Sequence, residues 1–67
     1  MTPNRVFVMA AYFEASERMA DAIDQMLQVR AMIANGQGGD IVRYERLAET
    51  ALLRYREAWK DYNALPD

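Results

Sequence analysis

Glycine and proline are missing from residues 4–34 and again from residues 41–64, and the three glycines of the chain, Gly36, Gly38 and Gly39, fall together between these stretches. The first is rich in alanine, methionine, glutamate and arginine, which lose little freedom in a helix. Thr2-Pro3 reads as a helix start, a capping residue followed by the residue best suited to the first helical position. Gly36 can take the left-handed conformation that ends a helix, and Asp40 can cap the next one. Leu65-Pro66-Asp67 ends it. The pattern predicts one all-α domain over residues 1–67: a helix over about 4–34, a glycine-rich loop at 35–39 and a helix over about 40–64. A loop this short brings the helices back antiparallel as a hairpin.

The apolar periodicity fits two facing helices. In the first, alternating steps of four and three select Val8, Tyr12, Ala15, Met19, Ala22, Met26, Val29 and Ile33. In the second, steps of three and four select Ile41, Tyr44, Ala48, Ala51, Tyr55, Ala58, Tyr62 and Leu65. None of these is charged, and such heptad-like seams predict left-handed, coiled-coil-like packing. The first helix carries a further stripe, Met9, Phe13, Ser16, Ala20, Ile23 and Leu27. Together its two stripes span an arc of about 200°, against ~100° for an ordinary amphipathic helix. One partner helix cannot cover that arc, and an exposed apolar patch of this breadth is uncommon on monomers.

Size sharpens the point. A 67-residue chain buries little of its surface and needs a disulfide, a metal or a partner chain to reinforce its core. It has no cysteine and no histidine, which removes disulfides, thiolate zinc sites, the commonest metal ligand and the commonest general base. Self-association remains. The expected assembly is a homodimer in which two hairpins form an antiparallel four-helix bundle. The longest apolar run, residues 6–13, is too short for a bilayer span of ~20 residues, and its helical pattern continues unbroken past Glu14. It therefore reads as part of the fold rather than a leader or membrane segment, with a cytoplasmic location as the expectation.

No constellation spells out catalysis, and no cofactor is expected. Glu14, Glu17, Asp21 and Asp24 form a carboxylate ladder that could attract a cation, but it lies opposite the apolar stripes and reads as a solvated face, with Glu14 and Arg18 one turn apart. Arg43, Arg46, Arg54, Arg56 and Lys60 make the second helix the more basic, but Glu45, Glu49, Glu57 and Asp61 are interleaved with them. A net charge of −2 with mixed faces speaks against a nucleic-acid partner. Arg30 stands in the apolar sector of the first helix, where an arginine snorkels or pairs near a helix end.

At the open end of the hairpin, antiparallel pairing brings Phe7, Tyr12 and Phe13 near Trp59, Tyr62 and Leu65. Two roles suit such rings: an aromatic plug that closes the bundle, or a docking surface for another protein through Phe7, Tyr12, Phe13, Trp59 and Tyr62.

In topology the whole chain resembles the small RNA-binding hairpin dimers of the Rop type. Gly38-Gly39-Asp40 followed by Tyr44 resembles the turn and second helix of short co-chaperones that sequester type III secretion needle subunits. In size and hairpin shape the chain is also similar to phage-encoded helical dimers that inhibit host proteins. These resemblances imply a non-enzymatic regulator, an inhibitor, adaptor or co-chaperone acting on a protein partner, with RNA binding as the Rop-like alternative. Small helical chorismate mutases are enzymes, but their sites direct several basic side chains inward, and here Arg30 alone has such a position.

Overall fold

In the computed structural model, which describes residues 5–66, helix α1 runs over Arg5–Ala34 and helix α2 over Ile41–Asn63. They pack antiparallel as a rod of 54 × 14 × 13 Å. The Thr2-Pro3 start signal and Asp67 lie outside the described residues.

Glycine ends α1. Gly36 sits at φ 79° and donates its N–H to the Ile33 carbonyl at 3.0 Å, while Gln37 donates to the Met32 carbonyl at 2.9 Å. These crossed bonds are the Schellman pattern, which satisfies carbonyls that the helix itself leaves without a partner. Asp40 opens α2, its Oδ1 accepting from the Arg43 N–H at 3.2 Å. At the far end the Ala64 N–H donates to the Lys60 carbonyl at 3.0 Å, and Lys60 lies in the last turn, where the helix dipole favours a cation. Gly39 is needed for closeness: a Cβ there would stand 2.9 Å from Val29 Cγ1, so the loop folds tightly onto α1.

The least exposed residues are those of the two seams, with Met9, Ser16 and Glu45 beside them. Val8 and Val29, near opposite ends of α1, are the two buried side chains among the described residues. Ile33 and Tyr62 are the most open seam positions, at 40% and 38% exposure. Half-burial of the remaining seam is what a two-helix layer allows, since each helix is covered from one side only. The radius of gyration is 15.6 Å, against about 11 Å for a compact body of this length. The accessible surface is 5447 Å², against about 4,300 Å² for a compact monomer of this mass.

Candidate functional site

Three surfaces arise from this packing. The first lies between the helices at the open end. The Tyr12 ring stacks on Tyr62 at 4.8 Å, meets Tyr55 at 5.6 Å and stands edge-on to Phe13 at 5.8 Å. The Tyr12 and Tyr55 hydroxyls share a hydrogen bond of 3.2 Å that either can donate. That bond, helped by partial burial and by the neighbouring phenol itself, holds the Tyr12 phenol above its ordinary pKa, with Ser16 opposing. Tyr12 and Tyr62, foreseen as plug or docking residues, thus sit in an interhelical tyrosine cluster together with Tyr55. Trp59 lies outside this cluster and is 50% exposed.

The second surface is one flank of the hairpin. At 100° per residue, Phe13, Ile23 and Leu27 project from α1 about a quarter-turn or more to one side of its seam. Leu52 and Trp59 project from α2 to the same side, because the helices are antiparallel and equal rotations away from a shared seam land on one face. The Arg30–Glu45 ion pair, 3.6 Å between half-exposed side chains, crosses the seam on that face and fixes the assignment. All five apolar side chains are exposed, Phe13 at 54% and Leu27 at 51%. Both helices therefore present exposed apolar side chains on this face, beside the Arg30–Glu45 pair.

The third surface is the opposite flank, where a groove of about 370 Å³ runs between the helices. Ala11, Ala15, Ala51 and Ala58 floor it, Phe7 lies at its open end, and Glu14, Arg18, Arg54, Glu57 and Asp61 stand along its walls. The Arg18 guanidinium is held by Glu14 at 2.7 Å along the same helix. The small floor lets the helices approach but leaves little side-chain bulk to fill the space between them.

The structure thus divides the five aromatic candidates: Tyr12 and Tyr62 between the helices, Phe13 and Trp59 on the apolar flank, Phe7 at the groove. Leu52 was not singled out from sequence. The signal for it was the helical wheel of α2 carried across the hairpin, which puts Leu52 and Trp59 in line with the second stripe of α1. The carboxylate ladder of α1 is exposed, and Asp24 accepts from Gln28 Nε2 at 3.1 Å. Among the described residues no group of three or more potential metal-ligating side chains gathers, and no helix is long and apolar enough to cross a membrane. Comparison with known protein families, curated proteins and solved structures gives no match.

Proposed function

We propose that this chain is a non-enzymatic, protein-binding regulator, an inhibitor or adaptor, which works as a homodimeric four-helix bundle in the cytoplasm. The observation that carries the reading is the flank of Phe13, Ile23, Leu27, Leu52 and Trp59, apolar on both helices and open to solvent. A second copy is the natural cover. Two separate hairpins expose 5447 Å² each, whereas a compact body of twice the mass exposes about 7,200 Å². The difference of roughly 3,700 Å² is an upper figure, because a rod is less compact than a sphere; half of it still reaches the range of a stable interface.

Burying that flank leaves the alanine-floored groove facing outward on both sides of the dimer. Its small floor admits a helix closely, and its carboxylates, Glu14, Glu57 and Asp61, outnumber Arg18 and Arg54. The partner that fits is an amphipathic helix with basic residues beside its apolar face.

Analytical ultracentrifugation at micromolar concentration tests the dimer, and a species of 7.7 kDa with helical circular dichroism would overturn it. For the partner, affinity capture is compared between the wild type and Ala11→Arg, which fills the groove from an exposed position. A regulatory partner is retained by the former and lost by the latter. Submicromolar RNA binding at about 0.15 M salt would replace this reading with the Rop-like one.

A further inference from the structure

We propose that the second copy lies antiparallel to the first, α1 on α1 and α2 on α2, about a two-fold axis passing at the level of Arg18 and Arg54, so that the two loops stand at opposite ends of the bundle. The inference rests on the dimer argued above and adds its geometry.

The second apolar stripe of α1, exposed at Phe13, Ala20, Ile23 and Leu27 and half-buried at Met9 and Ser16, has a palindromic shape. Met9 and Leu27, Phe13 and Ile23, and Ser16 and Ala20 are three pairs, each equally spaced about Arg18. The sizes run large, large, small, small, large, large. An antiparallel two-fold axis at Arg18 brings each residue opposite its counterpart. Phe13 then meets the partner's Ile23, Met9 meets the partner's Leu27, and the small residues, Ser16 and Ala20, meet at the crossing point, where helices must come closest. Bulky pairs flanking a small centre is the shape that lets two helices cross without voids.

Helix α2 gives the same answer independently. With the axis between Arg54 and Tyr55, Trp59 projects midway between the partner's Ala48 and the partner's Leu52, a gap with one small side. Glu49 falls opposite the partner's Lys60 and one turn from the partner's Arg56, a charge-complementary rim. The two axis positions lie at similar height within one hairpin: the contacts of Tyr12 with Tyr55 and Tyr62 and of Arg30 with Glu45, on either side of Arg18, put Arg18 level with the turn of α2 that holds Arg54 and Tyr55. A single axis therefore serves both helices, which two unrelated patterns would have no reason to satisfy.

The other two-fold arrangement places the loops at one end and lays α1 on the partner's α2. At the same heights Ile23 and Leu27 would cover the partner's Glu49 and the partner's Glu45. Its electrostatic gains are surface pairs, Glu17 beside the partner's Arg56 and Arg30 one turn from the partner's Glu45, whose carboxylate Arg30 of its own chain already holds. Removing carboxylates from water costs more than an exposed ion pair returns, so the antiparallel arrangement wins.

A single spin label on Gln37→Cys, in the exposed loop, reads the geometry directly. At 1.5 Å per residue the loops of the antiparallel dimer stand about 55–60 Å apart, whereas loops at one end lie within about 20 Å. A second measurement mixes Ser16→Cys and Ala20→Cys chains under mild oxidation. The expected product is the mixed disulfide, in severalfold excess over either self-linked dimer. A short label distance in a species of dimer mass overturns this arrangement and leaves the dimer standing. A monomer mass overturns both. A mixed product in no more than the statistical twofold excess over each self-linked dimer would remove the axis from Arg18.

Discussion

Trp59→Ala probes the apolar flank most directly. An indole presents an area on the order of 150–250 Å², and in the single hairpin half of the side chain remains open at 50% exposure. About 100 Å² per protomer is thus available to a partner, worth roughly 2.5 kcal/mol at ~25 cal/mol per Å². Two-fold symmetry uses the ring twice, so removing it should weaken dimerisation by up to ~5 kcal/mol. Repacking of Leu52 and Ala48 around the gap recovers part of this, and the expected rise in Kd is at least about a hundredfold. Sedimentation equilibrium gives both dissociation constants, with circular dichroism on the same samples to follow helix content. In the wild type the indole emission should also shift to the blue as concentration rises. The reasoning fails if Trp59→Ala dissociates within about threefold of the wild type while keeping its helices. It fails equally if the wild-type emission is the same in dilute and concentrated samples.

Three smaller tests address the frame. Gly39→Ala puts a methyl 2.9 Å from Val29 Cγ1 at a residue whose φ of 157° itself disfavours a side chain; overpacking of about 1–3 kcal/mol then adds to a backbone penalty, so it should cost more than Gly36→Ala, which meets open space and carries only the left-handed penalty of about 1–2 kcal/mol. Equal melting temperatures for the two variants would refute the close packing of the loop on α1. Asp40→Ala removes the bond to the Arg43 N–H and should cost about 1 kcal/mol in thermal unfolding; an unchanged melt would show that the cap is dispensable. Because the Tyr12 phenol is held above its ordinary value chiefly by its bond to Tyr55, the stability it contributes is complete below the unfolded tyrosine pKa and is lost as pH rises through the folded one. Melting temperature should therefore fall above about pH 10, and less steeply in Tyr12→Phe; parallel curves for the two proteins would contradict the link.

Much of the frame could be read in the residues themselves. Gly36 and Asp40 act locally, through the φ of one residue and the reach of one short side chain, and local chemistry is what a sequence records most directly. The seam residues were legible for a related reason: an unbroken step of three and four has one helical meaning. The division of the aromatics was less accessible. Tyr12, Tyr62 and Trp59 all stand at the open end, and whether a ring enters the interhelical space or leaves it turns on tens of degrees about the helix axis. Tyr55 joined the cluster because Tyr12 reaches across the seam to it, a contact between residues far apart in sequence. The groove was invisible for another reason. Alanines at Ala11, Ala15, Ala51 and Ala58 read equally well as close helix approach or as unfilled space, and only the placement of both backbones decides between them.

The unequal character of the two helices follows from the same geometry. Helix α2 carries large apolar side chains on the seam and its edge at Leu52 and Trp59, with Val42, Leu47 and Leu53 exposed elsewhere among Arg46, Lys60 and Asp61. Helix α1 carries apolar side chains over much of its circumference, and of these only Val8 and Val29 are buried in the hairpin. Full burial of a valine is worth roughly 1.5–3 kcal/mol, while ordering each backbone residue costs about 1–2 kcal/mol. Two buried valines and a half-covered seam set little apolar burial against that cost in the single hairpin. In the proposed dimer the stripe of α1 completes the core, so folding and pairing become one reaction and the melting temperature rises with protein concentration. That coupling gives the apolar stripe a physical reason: Phe13, Ile23 and Leu27 are unfavourable on the surface of one hairpin and become the centre of two.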